Sequence, residues 1–118
     1  PLGAKIAMTS LPQFGYSEKQ IQIISRLILA TKFPQEPKTA LERIICDADL
    51  SYIGKEYFHN IAESLKEEFM HMNIVETDLD WLKLQVSFLE NCQFHTETGR
   101  KQGEKQYLIN LAQARKNL

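Results

Sequence analysis

Asp47 and Asp49 are the residues whose types and spacing most directly suggest chemistry. They lie two apart in Ile45-Cys46-Asp47-Ala48-Asp49-Leu50, at the end of the apolar run Leu41, Ile44, Ile45. A helix favours acids in its first turn, where the macrodipole is positive, and disfavours them at its other end. Two acids in that position ask for compensating positive charge, such as a metal ion. Carboxylate oxygens suit hard cations such as Mg or Mn, and mixed Asp/His sets suit Mn, Fe, Ni or Zn. Such a site needs two or more further ligands, normally histidines. The alternative is that both acids cap or terminate local structure.

The three histidines do not complete a site. His59 and His71 are twelve residues apart on one expected helix, about 18 Å, too far to share an ion. Both read as surface or core-margin residues. His95, in Phe94-His95-Thr96, is expected at a helix C-terminus, where its charge suits the dipole. The chain contains no HExxH and no zinc-type Cys/His spacing. It has no GxSxG elbow, and its five glycines are scattered singly rather than gathered in a phosphate loop. Cys46, after two isoleucines and beside Asp47, reads as a buried structural thiol with a raised pKa.

The elements that must position these residues are helical throughout. Ala4 to Leu11 reads as a short helix closed by Pro12 and the turn Gln13-Phe14-Gly15. Ser17-Glu18-Lys19-Gln20 is a capping box, and Ile21, Ile24, Leu27 and Ile28 form the apolar stripe behind it. Pro34 and Pro37 end that helix near Thr31. A second box, Thr39-Ala40-Leu41-Glu42, opens the helix that delivers Asp47 and Asp49. Gly54 interrupts the pattern, and Phe58, Ile61, Leu65, Phe69 and Met72 then draw a stripe to about residue 72. Thr77-Asp78-Leu79-Asp80 starts the next helix. Its wide apolar face takes Trp81, Leu84 and Phe88 on one side and Leu82, Val86 and Leu89 on another. Gly99 and Gly103 are expected to break the following segment. Glu104 to Asn117 reads as a final helix anchored by Tyr107, Leu108 and Leu111. The predicted fold class is all-α, a helical bundle.

A chain of 118 residues, 43% hydrophobic and 25% charged, is that of one ordinary globular domain. No apolar run approaches the ~20 residues of a membrane span, so no membrane partner is expected. Cys46 and Cys92 form no disulfide framework, and a cytoplasmic location is the simplest expectation. Net charge is −1, which favours no nucleic-acid partner. Its distribution is uneven: residues 42 to 80 hold ten acids against Arg43, Lys55 and Lys66, and the C-terminal stretch is basic. That pattern marks either a phosphate-binding rim or, more ordinarily, two solvated helix faces. Pro1-Leu2-Gly3 looks like a protease-site scar from expression and is set aside from fold reasoning. Residues 4–118 then begin without an N-cap, as the C-terminal portion of a single helical domain would.

The order of several segments resembles the HD-domain metal-dependent phosphohydrolases, most closely the later half of the small bacterial members. The segments are Ser10-Leu11-Pro12-Gln13-Phe14-Gly15-Tyr16-Ser17, Leu27 to Lys32, and Asp47-Ala48-Asp49-Leu50 with Ile53-Gly54. The likeness continues through Trp81, Gln85, Phe88-Leu89 and the Lys105 region. It implies a partial HD-domain fold and phosphoester hydrolysis, with a metal-bound water attacking phosphorus. It also implies that Asp49 is the late aspartate ligand of a divalent metal, with Asp47 a supporting acid. Lys32 and Lys55 fall where basic residues would face a substrate phosphate. The chain has no His-Asp doublet, and members often carry a histidine near the position of Cys92. The expectation is therefore a truncated HD domain, inactive alone, with no metal retained by this chain. The alternative is a non-catalytic HD-like interaction module that self-associates or binds a partner through exposed apolar faces.

Overall fold

The computed structural model describes residues 2–118, all of whose regular elements are helical. The chain divides into two compact units, one ending at Asp49 and the other spanning Leu50–Leu118. No described helix is long and apolar enough to cross a membrane.

The first unit contains α1 (Leu2–Ser10), a 3-10 turn (Leu11–Phe14), α2 (Glu18–Ala30) and α3 (Ala40–Asp49). Leu2 and Gly3, set aside on sequence grounds, belong to α1, and the Gly3 Cα lies where an added Cβ would meet Ile28 of α2 at 3.1 Å. With the buried Ala4 and Ala7, small side chains let the two helices approach closely. Gly15 closes the 3-10 turn at φ 84°, a left-handed conformation that suits glycine. The capping box of α2 forms as expected: Ser17 Oγ accepts from Gln20 N at 3.2 Å, and Gln20 Oε1 accepts from Ser17 N at 2.9 Å. The α2 stripe is less buried than its periodicity suggests. Ile21 and Ser25 are buried, whereas Ile24, Leu27 and Ile28 are half-buried.

Thr39 and Glu42 cap α3 reciprocally, at 3.1 Å and 2.8 Å. Asp47 and Asp49 fall in its last turn, inside the helix rather than beyond it. The expected apolar run does not face inward: Leu41 and Ile44 are exposed, and the buried positions are Cys46 and Asp47. At 100° per residue, Ile44 and Cys46 project to nearly opposite sides of a helix. Burying Cys46, whose thiol donates to Ala30 O at 3.1 Å, therefore turns Ile44 outward.

The second unit holds a 3-10 turn (Ser51–Gly54), α4 (Phe58–His71), α5 (Asp78–Glu90) and α6 (Glu97–Asn117). Its core gathers Ile53, Phe58, Trp81, Leu89, Tyr107 and Leu111. Each large apolar side chain fully removed from water contributes about 1.5–3 kcal/mol. Phe69 and Trp81 meet edge to face at 5.5 Å, tying α4 to α5. The α4 stripe ends with Phe69, because Met72 is the exposed C-cap residue. Asn73 follows in the left-handed region at φ 60°, a conformation asparagine tolerates. Thr77 and Asp80 complete the third capping box, at 3.1 Å and 3.2 Å.

Three expectations for the C-terminal region are corrected. Gly99 and Gly103 do not break a helix. They lie within α6, whose N-cap Thr96 accepts from Gly99 N at 2.9 Å. Gly103 is a packing site: a Cβ there would fall 2.6 Å from Phe94 Cζ, and one on Gly54 would fall 2.7 Å from Gly103 Cα. Helix propensity disfavours glycine by about 1 kcal/mol, less than the contact these positions permit. His95 immediately precedes the N-cap of α6, so it sits at the positive end of a helix and not at a C-terminus. Leu108 is exposed, and Asn110 takes the inward position beside Tyr107 and Leu111.

Candidate functional site

Positions two apart on a helix diverge by about 200°, and burial separates the two α3 acids accordingly. Asp47 is 9% exposed and faces inward, while Asp49 is exposed. The two carboxylates therefore do not form a chelating pair within α3. Asp47 interacts with a neighbouring group.

Asp49 combines several unfavourable features. It closes the helix at its negative end, with no basic residue in the last turn. Partial shielding from water pushes its carboxyl above the usual carboxylate range. It makes no ion pair among the described residues. Its polar partner is Gln35, whose Nε2 reaches Asp49 Oδ2 and Thr31 O at 3.4 Å each, both long for hydrogen bonds. Gln35 Oε1 is buried and accepts no hydrogen bond. A partly shielded carboxylate beside an amide whose oxygen lacks a donor is an oxygen-rich corner, the ligand chemistry of hard divalent cations.

Cys46, one turn earlier on α3, takes no part in that corner. Burial and the neighbouring acids, Asp49 before Asp47, push its thiol pKa upward, in line with an inert structural cysteine. Cys92 is likewise buried, and desolvation raises its thiol to about 12.

Of the two expected substrate-facing lysines, Lys32 is exposed just beyond α2, where its backbone N–H donates to Leu29 O at 3.2 Å. It makes no ion pair among the described residues. Lys55 belongs to the second unit and is half-buried. His59 and His71 stand at opposite ends of α4 and are both exposed. Among the described residues, no three His, Cys, Asp or Glu side chains converge to hold a metal ion.

Sequence reasoning missed three polar residues. Gln35 lies in a loop with no periodicity to mark it. Asn110 and Gln85 are different, because each occupies a core position of an otherwise apolar stripe. Asn110 stands in Tyr107, Asn110, Leu111, Ala114, and Gln85 in Trp81, Gln85, Phe88. Asn110 is 1% exposed and donates through Nδ2 to Ile53 O at 2.9 Å and Lys55 O at 3.0 Å, clamping the 3-10 turn to α6. A polar side chain interrupting an apolar stripe was the signal available for both.

No protein-family model, curated protein or solved structure matches this chain.

Proposed function

We propose that Asp49 is a metal ligand of an HD-type phosphohydrolase centre and that residues 4–118 are the C-terminal part of that domain. The observation that carries the reading is Asp49 itself: a partly shielded carboxylate at the negative end of a helix, without an ion-pair partner, beside the orphaned Gln35 oxygen. A divalent ion would offset all three of these costs, and in phosphoester hydrolysis it supplies both a nucleophile and charge neutralisation. Asp47, buried on the same turn, is the supporting acid that stiffens the end of α3. Lys32, in the same unit as Asp49, is the proposed phosphate-facing cation. The sequence has no His-Asp doublet, so the histidine and His-Asp ligands of such a centre come from outside residues 2–118.

The reading predicts that the 118-residue chain does not hydrolyse bis-p-nitrophenyl phosphate with Mg²⁺, Mn²⁺ or Ni²⁺ added. Turnover that disappears in Asp49→Ala would mean that the chain holds a complete centre, and the partial-domain reading would be wrong. The coding sequence upstream provides the decisive test. If it encodes no His and no His-Asp doublet, the enzymatic reading is lost. If it does, Asp49→Ala in the longer polypeptide is expected to abolish metal-dependent hydrolysis.

A second reading, a non-catalytic interaction module, draws on Leu41 and Ile44, exposed three residues apart on α3. Apolar side chains so placed share one helix face and favour association. It predicts a concentration-dependent dimer by light scattering, and a monomer at all concentrations would count against it.

A further inference from the structure

The second unit contains a cavity between α4 and α5 that has no part in the α3 acids. It has a volume of about 200 Å³ and is walled chiefly by Phe58, Leu65, Phe69, Trp81, Leu84 and Phe88. A dry cavity of about 150 Å³ accommodates benzene, so this one has room for a single substituted ring or a short chain.

One wall position is polar. Gln85 is 9% exposed, and its side-chain amide has no hydrogen-bond partner among the described residues. The amide nitrogen and oxygen are not buried without a partner, so they keep access to water on the cleft side, and a ligand's polar group there would take the place of that water. Gln85 also lines a second cleft of about 270 Å³, together with His59, Glu63, Lys66, Asp78 and Asn117. Ala62, Trp81 and Gln85 are common to both. The amide thus stands at the seam between an apolar chamber and a polar mouth. In that mouth the ammonium of Lys66 is already held by Asp78 at 2.9 Å, and Glu63 adds a further negative charge. An anionic ligand finds no free lysine there.

We propose that this cavity binds a small neutral amphipathic molecule. Its ring or short apolar chain fills the chamber, and a hydroxyl or carboxamide group exchanges hydrogen bonds with Gln85 at the seam. The proposal is independent of the phosphohydrolase reading, since it uses none of the same residues.

Trp81 is the only tryptophan of the chain and a wall of both clefts, so its fluorescence reports occupancy directly. The 118-residue protein is titrated with benzyl alcohol, toluene and benzoate. Benzyl alcohol and toluene are expected to give saturable changes in Trp81 emission, and benzoate none over the same concentration range. Gln85→Leu is expected to shift the benzyl alcohol to toluene affinity ratio about tenfold toward toluene, the effect of one lost hydrogen bond. Gln85→Met, of similar length, is read in the same way should the leucine variant fail to fold. Absence of saturation by either neutral ligand, an unchanged ratio in the variant, or benzoate binding as tight as benzyl alcohol would each overturn the proposal.

Discussion

Replacing Asn110 by alanine removes the clamp between α6 and the Ser51–Gly54 turn, and its cost can be worked from the contacts. The Nδ2 group serves two carbonyls, at 2.9 Å on Ile53 and 3.0 Å on Lys55, and Oδ1 accepts from Gln106 Nε2 at 3.0 Å. Ile53 is fully buried, so its carbonyl has no access to water once the amide is gone, a penalty of about 1–3 kcal/mol. Lys55 is half-buried and its carbonyl rehydrates, so that bond counts for about 0.5–1.5 kcal/mol. The total for Asn110→Ala is about 1.5–4.5 kcal/mol. Asn110→Asp distinguishes a clamp from simple space filling. At neutral pH the carboxylate sets acceptors against acceptors, so this variant falls below the alanine variant in stability. Lowering the pH protonates the acid, restores one donor, and narrows the gap. Urea unfolding followed by far-ultraviolet circular dichroism and Trp81 fluorescence measures all three proteins. A loss under about 1 kcal/mol in Asn110→Ala, or an aspartate variant as stable as the alanine variant at neutral pH, would refute the reasoning.

Gly54→Ala drives a methyl group to 2.7 Å from the backbone of Gly103. Backbone cannot rotate away, so a loss of about 1–3 kcal/mol is expected in the same unfolding assay. Asp49→Asn is expected to stabilise the metal-free protein by about 0.3–1 kcal/mol at neutral pH, because it removes a charge from the negative end of α3. The pH dependence carries the same sign. The Asp49 carboxyl is raised in the folded state, so the folded protein binds more protons and its stability falls as pH rises through that range. The asparagine variant flattens this slope, and thermal melts across the acid range measure it. The Cys92 thiol titrates near 12, against an ordinary value near 8.5. Its contribution to stability is therefore whole below about pH 8.5 and is lost as pH rises toward 12. Melts of Cys92→Ala should show a shallower alkaline decline than the parent.

Local order was largely legible from the chain. Each of the three capping boxes, Ser17 with Gln20, Thr39 with Glu42 and Thr77 with Asp80, forms where the residue pattern places it. A cap is an interaction across three residues and needs no distant partner. The same holds for the end of α2 at Thr31 and for the all-α class. The α3 acids were legible as residues but not as a pair: their spacing suggested one site, and the helix that carries both turns one inward and the other outward.

What the linear pattern misjudged lies at contacts between residues far apart in the chain. Gly99 and Gly103 read as breakers because intrinsic propensity is local, yet α6 runs through both, and at Gly103 Phe94 occupies the space a side chain would fill. Leu41 and Ile44 stand out in the sequence only as an apolar run, and the inward face of α3 is decided by Cys46 reaching Ala30 on another helix. Asn110 and Gln85 each interrupt an apolar stripe, a signal the sequence offers without its meaning. Only packing shows that one meets two carbonyls more than fifty residues away while the other meets none. Helix, cap and turn follow from neighbours in sequence. The role of a buried polar group depends on which distant backbone or cavity the packing sets opposite it, and that is decided in three dimensions.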